Sequence, residues 1–403
     1  MKIAIIGAGI TGLVAGWRLA QKGVQVSLFE KEKAPGGLAH GFKEKAWNWY
    51  LDDFFHHLFI SDISAQKLIR ELGLSKQLFF DRPKTAIFKN GQISQFDSPL
   101  TLLKSPLLSW PQKIRASLVT GYLKLTNRWQ DLEKITATDW LAKFYGKKTF
   151  AILWEPLLTS KFGSQANQIS MAWFWARIKK RSVQLGYLQG GFQVLADKLT
   201  EQIKKNKGQV IFNREIKNLK DLAGYDKIII TVPAEKFFKT GLPEMLGAIN
   251  LILILKEKFL TDGTYWLSVN EKDFPFVAVV EQTNFVDRKN YGGNYVAYVG
   301  GYYPQDHRYF KMTKDQIFKE FLPYLKRINP NFNFASRITC YVSRNLFAQP
   351  VMPVNYSRLI AGHKTALPGV YLANMQQVYP WDRGLNYAIE LGEKIVKIVV
   401  NDQ

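Results

Sequence analysis

The first thirty residues switch twice between two hydrophobic spacings. A short run of branched apolar residues, KIAII at positions 2–6, predicts a buried strand, and positions 24–29 repeat that pattern. Between the two runs, apolar residues recur at helical spacing: Ile10, Leu13, Val14 and Trp17. The pattern therefore predicts a strand–helix–strand unit of the kind that builds a parallel sheet.

Two later segments carry the same alternation. In the middle of the chain, a predicted helix is followed by predicted strands at 209–212 and within 225–233. The apolar face of that helix contains Phe192, Leu195, Ala196 and Leu199. Near the C-terminus, positions 370–373 predict a strand, and a helix is expected from about Gly384 with Asp382 as its N-cap.

The remaining segments predict a sheet of another kind. The stretch TAIFKNGQISQF alternates apolar and polar residues around Asn90-Gly91, which is the signal of a hairpin with a type I′ turn. Strand-like runs at 249–256, 276–282 and 294–300 predict a mostly antiparallel sheet.

A helix predicted after Pro111 has an apolar stripe with two interpretations. The stripe contains Ile114, Leu118, Tyr122, Leu125 and Trp129. Positions 98–130 contain five basic residues and no acidic one, and such a helix can lie in a membrane interface. The alternative, a helix that faces the protein core, is favoured because apolar stripes are common in cores.

Length and composition narrow the class of protein. A chain of 403 residues exceeds one compact core, so two lobes are expected. One cysteine, Cys340, excludes an intrachain disulfide and cysteine-rich metal sites, and favours a reducing, cytoplasmic location. The sequence contains no apolar run of 18 residues, so no transmembrane helix is expected. The apolar N-terminus imitates a signal peptide, but its residues form a better motif.

A net charge of +22 favours anionic partners, which include nucleic acid, an acidic membrane and phosphorylated molecules. No helix-turn-helix, RNA-binding or zinc-finger pattern is present in the sequence, so specific nucleic-acid binding is not expected.

Three glycines at the first strand–helix turn form a GxGxxG motif. Gly7 permits the tight turn, Gly9 lets the backbone approach a pyrophosphate, and Gly12 allows close packing of helix on strand. The helix N-terminus offers free N–H groups to phosphates. Glu30 ends the second predicted strand, where a carboxylate can accept hydrogen bonds from ribose hydroxyls. Together these features predict a dinucleotide site.

A second glycine pair follows in KEKAPGG, at Gly36 and Gly37. With the first motif, it resembles the FAD-binding proteins of the flavin-containing amine oxidase superfamily. Members of this superfamily include protoporphyrinogen oxidases, carotenoid desaturases and UDP-galactopyranose mutases. Many members have an arginine two residues before the pair, where this chain has Ala34.

The resemblance implies an α/β fold with a Rossmann-like FAD-binding lobe, made of a parallel sheet, and a second, mixed α+β substrate lobe. The FAD-binding domain is expected at 1–80, 185–245 and 365–403, and the substrate-binding domain at 81–184 and 246–364. The implied FAD-binding residues are Gly7, Gly9, Ile10, Thr11, Gly12, Glu30, Lys31, Gly36, Gly37, Leu38, Ile216, Asn374, Met375, Gly384 and Leu385.

The resemblance also implies a function. The expected enzyme is an FAD-dependent oxidoreductase, similar to desaturases or protoporphyrinogen oxidases, that transfers hydride from an apolar or polycyclic small molecule to flavin N5. The alternative is a non-redox enzyme similar to the mutases, in which Arg177 and Arg181 would hold a diphosphate. The small-molecule substrate is expected to be apolar or to carry a phosphate or carboxylate group, and the two arginines either hold such a group or form a solvated helix face. Aromatic residues either wall a flat cavity or pack in a core: Trp154, Phe162, Trp173, Phe174 and Trp175. Peripheral membrane contact is a further expectation.

The stretch LDDFFHHLFISD imitates a metal site. His56 and His57 are adjacent, so their side chains diverge and cannot easily share a metal. Asp52 and His56 could share one only on a helix, and no metal is expected. By resemblance, this stretch passes the flavin. We expect His57, the candidate catalytic residue, to contact the flavin or the substrate, and His56 to face away.

Overall fold

The computed structural model describes residues 1–238 and 244–402. Within these residues, seventeen strands form four sheets. The strands are β1 (Lys2–Ile6), β2 (Gln25–Phe29), β3 (Gly41–Phe42), β4 (Leu51–Asp52), β5 (Leu58–Phe59), β6 (Leu78–Asp81), β7 (Lys84–Lys89), β8 (Gln92–Gln95), β9 (Leu185–Leu188), β10 (Gln209–Ile211), β11 (Lys227–Ile230), β12 (Met245–Leu255), β13 (Thr264–Val269), β14 (Ala278–Glu281), β15 (Tyr295–Tyr303), β16 (Arg337–Pro350) and β17 (Val370–Leu372).

The α-helices occur between and after these strands. They are α1 (Ile10–Gln21), α2 (Ile63–Glu71), α3 (Pro99–Lys104), α4 (Trp110–Leu125), α5 (Trp129–Leu132), α6 (Ala137–Tyr145), α7 (Lys147–Leu153), α8 (Glu155–Phe162), α9 (Met171–Lys180), α10 (Gln193–Lys205), α11 (Lys314–Ile328) and α12 (Leu385–Asn401). The described part of the chain contains no helix both long and apolar enough to cross a membrane.

A five-stranded parallel sheet has the order β10-β2-β1-β11-β17. In β1, alternate residues point to opposite faces: Ile3 and Ile5 join one apolar cluster, and Ala4 and Ile6 join another. Helix α1 packs between α10 and α12 on the first of these faces. The predicted α/β fold class is therefore confirmed, and the first strand–helix–strand unit lies where the spacing predicted it.

This sheet draws its strands from the beginning, the middle and the end of the chain. Their placement agrees with the segments expected for the FAD-binding domain. The exact division into domains stays a prediction, and positions 239–243 and 403 of its ranges lie outside the described residues.

A seven-stranded mixed sheet has the order β16-β12-β15-β14-β13-β7-β8. Its neighbours are antiparallel except for β7 and β13, which run parallel. The predicted hairpin joins β7 to β8, with positive φ angles of 51° at Asn90 and 74° at Gly91. Both angles are those of a type I′ turn. The mostly antiparallel sheet and its hairpin are thus confirmed.

Helices α3–α9 pack around a separate apolar cluster. Phe162, Trp173 and Trp175 are buried there, so for these three aromatic residues core packing is the correct interpretation.

The stripe on α4 faces away from this core, against the favoured expectation. Trp129 does not belong to it as predicted, because α4 ends at Leu125 and Trp129 begins α5, where it packs against the core cluster. The side chains of the stripe remain exposed by 57% at Ile114, 70% at Leu118 and 81% at Leu125, whereas Ala116 and Leu123 on other faces are buried. Hydrophobic period identifies the stripe but not its direction. Here the inward side of the helix carries Lys113, Ala116 and Leu123, and the side with the larger apolar stripe faces away from the protein.

Helix α12 begins at Leu385 and its N-cap is Gly384, so the expectation that Asp382 caps the helix is wrong. The Asp382 carboxylate instead accepts hydrogen bonds from Trp173 and Arg177, both on α9. A charged partner in another helix therefore outweighs a local capping bond at this position.

Candidate active site

Two glycine turns meet at the carboxyl end of β1. Gly9, before α1, pairs with Gly36 of the second turn in an isolated parallel bridge. A Cβ atom added at Gly37 would lie 3.1 Å from Cα of Gly9. A Cβ atom at Gly12 would lie 2.0 Å from the carbonyl oxygen of Gly7, so α1 can sit this close to β1 only without a side chain there.

The same turn leaves open space for a ligand. A Cβ atom added at Gly9 would meet no protein atom within 4 Å. Gly9 is the N-cap of α1 and supplies no side-chain cap, so the first N–H groups of the helix lack that partner. Unpaired N–H groups with a positive dipole end fit phosphate oxygens. The residues present thus fit the pyrophosphate of a dinucleotide.

Glu30 lies at the end of β2 and reaches back to this turn. Its Oε2 accepts a hydrogen bond from the Ala8 amide at 2.7 Å, and its Oε1 accepts one from the Glu32 amide at 3.0 Å. The carboxylate therefore orders the glycine turn. Each of its oxygens keeps a free lone pair that a ribose hydroxyl would use.

A central cavity of about 1560 Å³ extends from the glycine turns into the second part of the molecule. Of the expected cofactor-binding residues, it is lined by Gly7, Gly9, Ile10, Thr11, Glu30, Lys31, Gly36, Gly37, Leu38, Ile216, Asn374, Met375, Gly384 and Leu385. Gly12 is the exception, because it packs against Gly7. The structure brings these distant residues together, and their contacts with FAD stay predictions.

The C-terminal segment closes this end of the cavity. Asn374 is buried, and its side chain donates to the carbonyl oxygen of Val232 at 3.3 Å and accepts from the Gln376 amide at 3.1 Å. The asparagine thus holds its own loop in place. Gly384, the N-cap of α12, lines the cavity, so a bound anion there would meet a helix N-terminus.

Both adjacent histidines line the cavity. His57 does so as expected, in contact with the rings of Phe59 and Trp266. The expectation that His56 faces away is wrong, because residues 53–57 form neither a strand nor a helix and their side chains do not alternate. Within the described residues, neither Nδ1 atom has a hydrogen-bond partner.

Burial keeps these imidazoles neutral. It lowers the pKa of His56 to about 4, assisted by Arg383, and lowers the pKa of His57 to about 3, assisted by Arg181. A neutral ring with a free nitrogen can accept or donate a hydrogen bond to a bound molecule.

A cluster of charged side chains faces the cavity from α8, α9 and the segment before α12. The Asp382 carboxylate lies 2.5 Å from Nη1 of Arg177 and 3.6 Å from Nζ of Lys161. Burial alone would raise the pKa of Asp382, but Lys161, Arg177 and Arg383 outweigh it and lower the pKa well below the usual range. One carboxylate thus balances three cations, and the local charge is positive.

Lys161 is the deepest of these cations. Its ammonium lies 4.9 Å from the ring centroid of Trp173 and 5.1 Å from that of Tyr302. Burial, and then Arg177, lower the pKa of Lys161 well below the usual lysine value, although Asp382 opposes the change. Sequence reasoning missed Lys161 and Asp382, because neither belongs to a motif and more than two hundred residues separate them.

Arg177 and Arg181 both line the cavity, as do Trp154 and Phe174. For these two aromatic residues, the interpretation as cavity wall agrees with the structure. The pair of arginines is unequal, however, because Asp382 neutralises Arg177.

Comparison with known proteins identifies the family of this chain. The sequence pattern of the family described as flavin containing amine oxidoreductase matches residues 10–380. Protoporphyrinogen oxidase, mitochondrial, from Nicotiana tabacum is 28% identical over 175 residues, which cover 42% of this chain and 34% of the tobacco protein. A 15-cis-phytoene desaturase from Narcissus pseudonarcissus is 28% identical over 165 residues, or 36% of this chain and 28% of the daffodil protein. These matches span about a third or less of the relatives' own length.

Solved structures share the fold over nearly the whole chain. Reduced UDP-galactopyranose mutase has a TM-score of 0.75 at 16% identity, covering 99% of this chain and 95% of the mutase. Cyclohexylamine oxidase from Brevibacterium oxydans has a TM-score of 0.73 at 14% identity, covering 100% of this chain and 99% of the oxidase. At such identities the likeness concerns the fold alone.

The fold and the glycine turns define a dinucleotide-binding flavoprotein. The chain belongs to the flavin-containing amine oxidoreductase family. The expected family is therefore confirmed. With it, FAD as the cofactor and oxidoreductase as the enzyme class are confirmed at the level of the family.

Proposed function

We propose that the protein oxidises an apolar or polycyclic small molecule, with hydride transfer to flavin N5. The observation that carries this proposal is the central cavity, which joins the glycine turns to a chamber lined by aromatic residues. Its volume of about 1560 Å³ exceeds the range of about 300–1,000 Å³ that suits one ligand, so cofactor and substrate have room together.

The chain's own residues would bind and position the reactants. Gly9 and the N-terminus of α1 would hold the pyrophosphate, Glu30 the ribose, and the backbone near Ile216 the adenine. The bound flavin supplies hydride acceptance, which no side chain of the protein can provide. Trp154 and Phe174 would keep water from the apolar substrate.

His57 would contact the flavin or the substrate as a neutral ring. Because burial holds its pKa near 3, the imidazole would position a group by hydrogen bonding and would carry no charge at neutral pH.

Absorbance spectroscopy of the purified protein tests the proposal. We expect flavin bands that bleach when the substrate is added without oxygen. Protoporphyrinogen and 15-cis-phytoene, which the relatives' names indicate, are the first candidates. A protein that binds no flavin after addition of FAD would contradict the proposal at its first step, and a flavin that no apolar compound bleaches would contradict the substrate class.

A second candidate function is that of a non-redox sugar-nucleotide mutase, and two cavity-lining arginines are the observation that favours it. It requires cations for a diphosphate, and Arg177 and Arg181 line the cavity. Arg177 already forms a salt bridge with Asp382, so its charge is less available to a diphosphate and this candidate is less well supported. Incubation of the reduced protein with UDP-galactopyranose decides between the candidates: an isomerised product supports the mutase, and unchanged nucleotide excludes it.

Peripheral contact with an anionic membrane is part of the proposal. Exposed apolar side chains of α3 and α4 form a patch, which consists of Leu100, Trp110, Ile114, Leu118, Tyr122 and Leu125. The sequence around it, 98–130, has five basic residues and no acidic one before Asp131, so its charge complements anionic lipids. The adjacent face of α4, with Ser117 and Gly121, lines the central cavity. Helix α4 therefore stands between the patch and the cavity, where an apolar substrate would enter.

A further inference from the structure

Two cations at one end of the central cavity have no role in the proposed oxidation. Lys124 lies in the last turn of α4, and Arg181 follows α9 as its C-cap residue. Both line the cavity. Within residues 1–238 and 244–402, neither forms a salt bridge, in contrast to Arg177 and Lys161, which share Asp382.

Hydrogen bonds fix these two residues side by side. The Lys124 ammonium donates to the carbonyl oxygen of Arg181. In the opposite direction, from α9 to α4, the Lys179 ammonium donates to the carbonyl oxygens of Lys124 at 2.7 Å and of Leu125 at 3.1 Å. The ends of α4 and α9 are thus tied to each other, and the Arg181 guanidinium lines the cavity without a salt bridge to Asp382, the carboxylate that pairs with Arg177.

The surroundings penalise both positive charges. Desolvation by the surrounding protein, and then Arg177, lower the pKa of Arg181 to about 10, and Asp97 is the carboxylate that opposes this effect. Desolvation by the surrounding protein, and then Arg181, lower the pKa of Lys124. The Asp97 carboxylate is engaged locally, since it accepts hydrogen bonds from Gln95 at 2.6 Å and from Thr101 at 3.2 Å. Lys124 and Arg181 are both exposed overall. Their donors are therefore accessible to an anion in the cavity, and within the described part of the chain neither forms a salt bridge with a carboxylate.

We propose that Lys124 and Arg181 form an anion subsite, which binds the acidic group of an amphiphilic substrate. The acidic group is a carboxylate or a phosphate, and both match the fork of an arginine donor beside a lysine. The apolar body of the molecule would lie along the cavity, where Trp154 and Phe174 line the wall.

The subsite also fits the proposed membrane contact. Leu125, which follows Lys124 directly, is exposed by 81% in the apolar patch of α4. An amphiphile that leaves an anionic bilayer here would meet Lys124 at the same end of the helix. The inference rests on the proposed function, because it names the substrate class of that same cavity.

A pair of fluorescent probes tests the subsite without turnover. The probes are dansyl-undecanoic acid and its methyl ester, which differ in charge but have the same apolar body. In fluorescence titrations of the holoprotein, we expect the acid to bind more tightly than the ester by about tenfold or more, as two charge-assisted hydrogen bonds imply. Equal affinity of acid and ester, or binding of neither probe, would overturn the inference.

Two variants test whether Lys124 and Arg181 cause the tighter binding of the acid. Arg181→Met and Lys124→Met should each reduce the advantage of the acid by about tenfold while the affinity for the ester stays the same. Lys104→Met is the matched control, because Lys104 is an exposed cation in the same basic segment and does not line the cavity. If Lys104→Met weakens the acid as much as the other two variants do, the preference reflects overall charge, and the subsite is refuted.

A dansyl-labelled alkyl phosphate of equal chain length distinguishes the two sources of negative charge. Tighter binding of the phosphate identifies a phosphorylated substrate, tighter binding of the acid identifies a carboxylic one, and both results support the subsite. Failure of the proposed oxidation is a separate outcome, because it would show in the flavin spectrum while the acid preference remained.

Discussion

Arg177 and Asp382 form a salt bridge in the wall of the central cavity, with Nη1 of the guanidinium 2.5 Å from Oδ2 of the carboxylate. The bridge joins α9 to the segment that leads into α12. The carboxylate side chain is exposed by 19% and also meets Lys161 and Trp173. One carboxylate therefore holds together three elements of the cavity wall, and its removal has consequences that can be measured.

Asp382→Asn should lower the free energy of unfolding at neutral pH by about 3 kcal/mol, because it leaves buried cations without a partner. The pKa of Asp382 is lowered in the folded state, so the carboxylate stabilises the protein above its ordinary pKa, and this contribution disappears as the pH falls toward the folded-state value. The variant should consequently resemble wild type in strong acid. Urea unfolding at several pH values measures the difference.

Asp131→Asn serves as its control, because that carboxylate is exposed by 54% and pairs with Arg128 on the surface. Its substitution should change the unfolding free energy by about 1 kcal/mol or less. If the two variants lose the same free energy of unfolding, burial does not strengthen the interactions of the Asp382 cluster.

Gly9→Ala should retain the fold and lose the cofactor. No protein atom lies within 4 Å of the added Cβ, so the methyl group fits, but it occupies the space through which a pyrophosphate approaches the backbone. We expect the dissociation constant of FAD to rise by about tenfold or more. Gly224→Ala is the control, since a Cβ atom there is equally unobstructed and lies outside the cavity. Full flavin retention by Gly9→Ala would contradict the placement of the pyrophosphate.

Asp52 makes stability depend on pH in the opposite direction from Asp382. Burial raises its pKa to about 7, although hydrogen bonds from Tyr187 and from the Phe192 amide oppose the shift. Because the folded protein binds this proton more tightly than the unfolded chain, stability should fall as the pH rises from about 4 to about 7. Asp52→Asn should remove up to about 1.4 kcal/mol per pH unit from that slope. Thermal or urea unfolding at several pH values measures the slope, and Asp221→Asn, at an exposed carboxylate, is the reference. If Asp52→Asn leaves the pH dependence of the unfolding free energy unchanged, the prediction is refuted.

His57→Gln should lower turnover by about tenfold or more without changing the pH profile between about pH 5 and pH 8. The reason is that burial keeps the imidazole neutral throughout this interval, so it positions a reactant and does not titrate. Steady-state kinetics over that interval measures both effects, and His307→Gln, outside the cavity, is the control. A profile that loses an ionisation near pH 6 in the variant would assign proton transfer to His57 instead.

Leu118→Glu should abolish binding to anionic vesicles without a loss of stability, because Leu118 is 70% exposed and makes the apolar patch of α4 continuous. Co-sedimentation with vesicles of phosphatidylcholine and phosphatidylserine is the measurement. Leu367→Glu, at an exposed leucine elsewhere, should bind as wild type does. A different outcome would be that the wild type does not bind vesicles but dimerises as its concentration rises, and that Leu118→Glu abolishes this dimerisation. That result would show that the patch binds a second copy of the chain.

The success of sequence reasoning depended on how local each signal was. The turn around Gly7, Gly9 and Gly12 was predictable, because its geometry depends on residues that are neighbours in sequence. The same is true of the hairpin at Asn90-Gly91, where positive φ angles restrict the residue types. The His56 prediction failed because it assumed regular alternation in a stretch that is irregular.

The α4 stripe shows what hydrophobic periodicity cannot predict. Spacing placed Ile114, Leu118 and Leu125 on one face, as the structure has them, but the direction of that face depends on which helices pack against α4. Asp382 shows a second limit. A local rule made it a helix cap, whereas α9 brings Trp173 and Arg177 to the same carboxylate and leaves the cap to Gly384.

By itself, the sequence determined the glycine turns, the alternation of strands and helices, the α/β class and the flavoprotein family, since all of these follow from residues at fixed, short separations. Only the tertiary structure decided which charges meet in the cavity. Asp382 pairs with both Lys161 and Arg177, whereas Lys124 and Arg181 form no salt bridge within residues 1–238 and 244–402. Electrostatic interactions depend on distance in space and on exclusion of water, and neither quantity is encoded at short range along the chain.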